Sequence, residues 1–308
     1  MTLQQLEYIV AVYRLRHFAK AAEYCGVTQP TLSSMIQKLE TELGVKLFER
    51  SSQQVTPTDI GKLIVAQAWK VLVRANKIKE IVEEQKKSLQ GTFRLGILPT
   101  IAPYLLPRFF PQLMKAHPEL DMRIIEMKTP ELKTALIREE IDAAILVSLD
   151  GMDNYTQTPL FYEQFLAYVS KDDPLYQHKS IKTADLKGEF LWMLEEGHCF
   201  RDQLVKFCHL KEAEQSQKTY TLGSIETFMR MVESGKGMTF IPELALDQLN
   251  NDQRQLVRPF ALPIPTRQIV LLTTKSFVRE SILQLLTKAI CQSVPPQMLK
   301  LNNIEQRV

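Results

Sequence analysis

Along the first 58 residues, apolar positions recur three and four apart, the spacing that gathers them on one face of a helix. Leu3, Leu6, Ile9, Val10 and Tyr13 form one stripe, and Phe18, Ala21, Ala22 and Cys25 a second. Gly26 predicts the end of the second helix, because glycine accepts the left-handed turn that closes helices. Thr28 can cap a third helix, and Pro30 suits its first turn. That helix turns Leu32, Met35, Ile36, Leu39 and Leu43 to one side. Its other side is short and polar: Gln29, Thr31, Ser33, Ser34, Gln37 and Lys38. After Gly44, the stretch VKLFERSSQQVTPT predicts two short strands around a polar turn.

From Asp59 to Gln90 the period changes. Ile64, Ala68, Val71, Ala75, Ile78 and Val82 alternate four and three apart, the seam of a coiled coil. A helix this long with so narrow a stripe needs a partner. A second copy is the simplest one, and docking on its own chain is the alternative.

Beyond residue 91, strand-like runs (FRLGIL, DMRIIEM, IDAAILV, FLAYVS, FLWML, MTFIP, QIVLLTT) alternate with helical stretches at 103–116, 130–140, 201–211, 224–234 and 276–292. That alternation predicts an α/β fold with parallel sheets, as one large sheet or two lobes. Neither of the glycine-rich phosphate motifs occurs, and nothing repeats.

Composition adds limits. A 45% apolar fraction over 308 residues is ample for real cores. Residues 1–90 carry a net +4 and residues 91–308 a net −1, a mild basic bias at one end. No apolar run reaches the ~18 residues of a membrane span. MTLQQLEYIVAV has neither the basic start nor the cleavage site of a signal peptide, which predicts a cytoplasmic protein without a membrane partner. Four scattered cysteines make no secreted disulfide framework. Two of them bracket GHCFRDQLVKFC, which reads as a helix. Nine helical residues rise about 13.5 Å, whereas a disulfide needs Cα atoms ~4.4–6.8 Å apart. The pair can be idle, a metal clamp, a catalytic thiol or a switch. Cys25 and Cys291 read as inert, buried small hydrophobes.

Two short helices, a tight turn and an uncharged hydrogen-bonding face suit the DNA major groove. Amides and hydroxyls there can read base edges, while Lys38 and Arg50 can hold phosphates. The alternative is an ordinary helical hairpin with a solvated face. The residues decide further. FAKAAEYCGVTQPTLSSMIQKLETELGVKLFER resembles the winged helix-turn-helix of LysR-type transcriptional regulators, and SGKGMTFIP resembles their effector domain. GHCFRDQLVKFC, GILPTIAPYLLP and LEEGHC resemble the peroxide-sensing OxyR branch of that family.

The resemblance implies a winged helix-turn-helix over 1–58, a linker and dimerisation helix over 59–90, and a regulatory domain over 91–308. That domain would be two Rossmann-like lobes akin to periplasmic binding proteins: lobe I about 91–160 and 267–308, lobe II about 161–266, crossed near Leu160 and Thr266. A homotetramer is implied. So are DNA contacts by Thr28, Gln29, Pro30, Thr31, Ser33 and Arg50. Ser34 and Gln37 stand where many of the family carry Arg. Cys199 would be the peroxide-reactive thiol and Cys208 the resolving one. Thr100 and Thr129 would hold the peroxide, Asp202 would handle a proton, and Arg267 would stabilise charge.

Cys199 opens its helix beside His198 and Arg201, where N–H groups and cations favour a thiolate; a thiolate can become a sulfenic acid. Plainer roles are open to each: turn residues for Thr100 and Thr129, a helix cap for Asp202, an ordinary ion pair for Arg267, a surface histidine for His198.

The expectation is a hydrogen-peroxide-sensing transcriptional regulator, not an enzyme, that controls oxidative-stress genes through a reversible Cys199–Cys208 disulfide. Its partners would be double-stranded DNA, hydrogen peroxide, RNA polymerase and a cellular thiol reductant, with no cofactor. Competing readings are a metabolite-responsive regulator with structural cysteines, and a thiol peroxidase or cysteine hydrolase. A metal site of His198, Cys199, Cys208 and His209 matches no common zinc spacing.

Overall fold

The computed structural model describes residues 1–50, 55–186, 191–194, 199–208, 224–235 and 237–308. They form two compact units, Met1–Lys86 and Lys87–Val308.

The first unit contains α1 (Leu3–Leu15), α2 (Phe18–Tyr24), α3 (Gln29–Leu43), β1 (Phe48–Arg50), β2 (Val55–Pro57) and α4 (Asp59–Gln85). Local chemistry sets its boundaries. Thr2 and Gln5 form a capping box at the start of α1. Thr28 Oγ1 accepts the Thr31 N–H at 3.4 Å at the start of α3, and Gly44 closes that helix at φ 70°. Ile9, Val12, Ala21, Leu32, Ile36 and Leu39 are fully enclosed. Leu43, expected on the same face, is 39% exposed because it is the last residue before the chain turns away. Strands β1 and β2 pair antiparallel, Phe48 opposite Pro57, as a short wing. Gly61 lets α4 start hard against the chain, since a Cβ there would lie 2.1 Å from the Leu47 carbonyl oxygen.

Helix α4 corrects the expected seam. Val65 and Ala68 are buried, and Ile64, Trp69 and Leu72 pack on the same core beside α1. Val71, Ile78, Ile81 and Val82 stay exposed. The stripe therefore divides: its first turns dock on their own chain, and its later turns present apolar side chains outward.

The second unit runs β3 (Gly91–Ile97), α5 (Ala102–Ala116), β4 (Leu120–Glu126), α6 (Thr129–Ile137), β5 (Ala143–Val147), β6 (Tyr155–Val169), β7 (Leu191–Trp192), α7 (Cys199–Cys208), α8 (Ile225–Glu233), β8 (Met238–Pro242), α9 (Asn251–Arg254), β9 (Val257–Pro259), β10 (Ile264–Thr274), α10 (Glu280–Ser293) and β11 (Glu305–Arg307). The sheet follows β4-β3-β5-β10-β6-β8-β7, with β11 beside β10 and β9 beside β6. It is mixed rather than parallel. β3 is parallel to β4 and β5, and β7 to β8, but β10 is antiparallel to β5 and β6, and β6 to β8. The reason is the path of the chain: β6 carries it from the β4-β3-β5 end of the sheet to the β8-β7 end, and β10 brings it back. β6 pairs with β10 through Gln164 and with β8 from Phe165 onward. Helices pack closely on this sheet. At Gly96 a Cβ would lie 2.4 Å from a Leu132 methyl, so α6 can approach β3 only over glycine.

Candidate functional site

Parallel strands β3 and β4 end side by side, and the chain after each turns into a helix. Thr100 lies in the turn before α5, and Thr129 is the first residue of α6. Both are buried. Strand ends and helix starts of this kind present N–H donors to a small polar ligand. Thr129 Oγ1 is enclosed, with no well-aligned hydrogen-bond partner among the described residues. The same hydroxyl favours the Cys199 thiolate.

Arg267, on β10, ties these residues together. Its guanidinium is 1% exposed. Nε donates to Glu163 at 2.8 Å, and Nη2 lies 2.6 Å from the same carboxylate. Nη1 donates to Thr100 Oγ1 at 3.3 Å, and Nη2 to the Thr100 carbonyl at 3.1 Å. Glu163, equally buried, also accepts the Leu244 N–H at 3.2 Å. The guanidinium sits 4.9 Å from the Phe200 ring centroid and 5.8 Å from that of Phe165. Phe200 is the second residue of α7, so this cation is seated against the start of the cysteine helix. Neither Glu163 nor Phe200 was identified from sequence. Glu163 left a signal: a charge two residues from Phe161 and Phe165 shares their face of the strand, and such a charge needs a buried partner.

Cys199 begins α7 and is 5% exposed. Burial pushes its thiol up from the ordinary range and wins over the Arg267 charge, the Thr129 hydroxyl and the Phe200 N–H, which all pull it down; Asp202 pushes it up further. This corrects the expectation that a helix start and neighbouring cations would make a thiolate readily. Arg201 is buried, with Nη1 3.9 Å from the Asp202 carboxylate. Asp202 itself has a half-exposed side chain. His198 lies outside the described residues, as does His209.

Cys208 closes the same ten-residue helix, buried and pushed up to about 12 by burial. Beside it Phe207 packs edge-on to Phe260 at 6.2 Å. Both thiols are free, and nine helical residues separate their Cα atoms by about 13.5 Å of rise. Cys25 and Cys291 are only half-buried, less than expected, and the Cys291 thiol donates to the Leu160 carbonyl at 3.3 Å. Among the described residues no cluster of His, Cys, Asp and Glu suits a metal.

In the first unit, Thr28, Gln29, Pro30, Thr31, Ser34, Gln37 and Lys38 are exposed along α3, and Ser33 is half-buried. Arg50 closes β1; its side chain lies outside the described residues.

Residues 3–62 match the bacterial regulatory helix-turn-helix protein, lysR family, and residues 86–292 match the LysR substrate binding domain. The hydrogen peroxide-inducible genes activator of Dickeya chrysanthemi is 39% identical over 271 residues, 88% of each chain. The DNA-binding transcriptional dual regulator OxyR of Escherichia coli K12 is 39% identical over 269 residues, 87% of this chain and 88% of its own. A full-length OxyR variant from Pseudomonas aeruginosa superimposes with a TM-score of 0.75 at 36% identity, covering 96% of this chain and 99% of its own.

Proposed function

The chain belongs to the LysR family of regulators, among the relatives of the hydrogen peroxide-inducible genes activators, and from that premise we propose that it is a peroxide-responsive transcriptional regulator whose switch is the Cys199–Cys208 pair. One observation carries the reading: a buried thiol beside a buried cation and a nearby unpartnered hydroxyl, at one end of a helix whose other end holds the second thiol.

The chemistry runs in two steps. Peroxide enters beside Thr100 and Thr129, whose hydroxyls orient it. The Cys199 sulfur, as thiolate, attacks one peroxide oxygen; the O–O bond breaks, sulfur is oxidised to sulfenic acid, and hydroxide leaves to take up a proton. Arg267 stabilises the thiolate and the departing oxygen. Asp202 and His198 move the protons. The Cys208 thiol then attacks the sulfenic sulfur, forms the disulfide and releases water. Two thiols and one peroxide thus become one disulfide and two waters. A cellular dithiol reverses the change and resets the signal.

The polar face of α3, with Thr28, Gln29, Pro30, Thr31, Ser33, Ser34, Gln37 and Lys38, enters the major groove of operator DNA, and Arg50 on the wing holds a phosphate. Residues 1–58 bind DNA, 59–90 link and dimerise, and 91–308 sense. The exposed turns of α4 support assembly of copies into a tetramer, which works on RNA polymerase in the cytoplasm. The deciding experiment is peptide mass spectrometry after one equivalent of hydrogen peroxide. A Cys199–Cys208 linked peptide is expected; recovery of both cysteines as free thiols would overturn the reading.

A further inference from the structure

The switch helix is gripped twice from the same strand. Arg267 of β10 holds its first turn through Phe200. The second grip comes from the far end of the chain. β11 lies parallel to β10, with Ile264, Pro265 and Thr266 opposite Glu305, Gln306 and Arg307. Its last pair therefore stops one residue short of Arg267. The Val308 N–H then donates to the Thr266 carbonyl at 3.1 Å. The Val308 main-chain oxygen accepts from Gln203 Nε2 on α7 at 2.6 Å.

Gln203 is 5% exposed. Its Oε1 has no partner among the described residues, so the bond to Val308 is what offsets burial of this amide. The segment is anchored on other sides too. Gln164 on β6 donates to Glu305 at 2.6 Å, and Arg307 donates to Ser148 Oγ, just past β5, at 2.7 Å.

We propose that β11 and Val308 form a strap that positions the switch helix through Gln203, and that release of the Gln203–Val308 hydrogen bond gates disulfide closure without taking part in the attack on peroxide. This rests on the thiol-switch reading above. Gln203 stands four residues after Cys199 and five before Cys208, at the middle of the helix that closure must undo. Bringing the two Cα atoms from about 13.5 Å to ~4.4–6.8 Å moves the turn carrying Gln203 whichever end travels. Val308, held by backbone pairing to a central strand, does not follow. The sulfenic step needs no such movement, since the Arg267 charge and the Thr129 hydroxyl already act on the Cys199 thiol.

The test uses the full chain with Gln203→Leu, which keeps the buried volume and removes the donor, and a variant lacking residues 305–308. Two rates are read by rapid quench: sulfenic acid formation, in a Cys208→Ser background, and disulfide closure with both cysteines present. Hydrogen exchange is followed on the thiol forms with no peroxide added. Each change is expected to speed closure roughly tenfold and to lower α7 protection by a similar factor, the loss of one buried hydrogen bond. Sulfenic formation should stay within about twofold, and the two changes combined should do no more than either alone, because they remove one shared contact. Unchanged closure in Gln203→Leu, multiplying effects, or equal slowing of both steps would overturn the strap. Protection of β5 checks that the shortened chain is folded; if it is not, Gln203→Leu decides alone. Should Cys199 ignore peroxide altogether, the switch reading fails, and α7 protection still reports on the strap by itself.

Discussion

Glu163 and Arg267 face each other across the antiparallel pair β6–β10, 2.6 Å apart and almost completely closed off from solvent. Removing one partner of such a pair leaves a buried charge uncompensated, at a cost of ~3–5 kcal/mol. Arg267→Met should therefore lower the urea midpoint of the regulatory unit by an amount of that order. Glu163→Gln with Arg267→Met should recover much of the loss, because the orphaned charge is gone. If the double variant is as unstable as the sum of the single ones, the pair is not what holds this crossing together.

The Cys199 thiol is displaced upward mainly by burial, with Arg267 as the largest opposing influence. Only the thiolate attacks peroxide. The rate should thus rise with pH through and beyond the ordinary thiol value of 9.0. Arg267→Gln removes the cation, moves the curve to still higher pH and slows the reaction at neutral pH. A pH–rate profile in a Cys208→Ser background checks both. A profile already flat below pH 8 would contradict the dominance of burial.

Cys208 gives a stability signature of its own. Its folded value is about 12 against an ordinary 9.0. Below pH ~9 the thiol is protonated whether folded or unfolded, and its contribution is intact. Between about 9 and 12 the unfolded chain sheds the proton and the folded one keeps it, so stability falls as pH rises. Cys208→Ser should flatten that part of the urea midpoint against pH. An equal slope in both proteins would mean that burial does not govern this thiol.

These relationships were unevenly legible in the sequence. α1, α2 and α3 could be read because each is written locally: a Thr cap, a stripe at helical spacing, a closing glycine. The winged helix-turn-helix and the alternation of strands and helices followed in the same way. The direction of β6 and β10 could not, because it depends on pairing between Arg267 and Glu163, separated by 104 residues. The Cys199 environment failed for a related reason. Sequence displayed the helix start and the nearby cations, which are neighbours, but not the depth of burial, which comes from distant strands and outweighs them. The stripe on α4 was legible as a period, yet nothing local told which turns α1 would cover. β9 and β11, three residues each, are too short to stand out.

On α3, Gln29 and Gln37 are exposed amides, and Lys38 is an exposed cation. Gln29→Ala should cost about 1–3 kcal/mol of operator affinity and relax base preference at one position. Lys38→Ala should weaken all sequences alike and reduce the steepness of the salt dependence. Titrations at several salt concentrations separate the two outcomes; operator binding unaffected by either change would remove α3 from the groove.

Ile78 is 68% exposed on the outer turns of α4. Ile78→Glu places a charge where the later half of the apolar stripe needs a partner, while Val65 and Ala68 keep the first turns docked on α1. Sedimentation should show smaller assemblies and an unchanged fold by circular dichroism. The same mass as the parent would mean that copies meet elsewhere.

Cys199 and Cys208 occupy unlike surroundings, and the difference assigns their order. The Arg267 charge and the Thr129 hydroxyl pull the Cys199 thiol down against its burial, while Cys208 has burial alone to set its ionisation. Burial raises both thiols, but only at Cys199 do a cation and a hydroxyl oppose that rise, which makes it the better first attacker. Cys199→Ser should therefore abolish reaction with peroxide, and Cys208→Ser should consume one equivalent and stop at a sulfenic acid, open to further oxidation. In the parent protein, closure must dismantle α7, so hydrogen exchange over 199–208 should rise sharply after oxidation. Half-site spacing follows the geometry of the bound copies, and the DNA footprint should then change its length or register while Gln29 keeps its contact. Moving a two-state equilibrium from 1:99 to 99:1 takes about 5.5 kcal/mol, and a covalent bond that excludes the intact helix can deliver a bias of that size. Thiol counting on each variant tests the order of attack. Footprints with and without peroxide test the coupling: a fully oxidised protein with an unmoved footprint would leave the thiols reactive but disconnected from DNA.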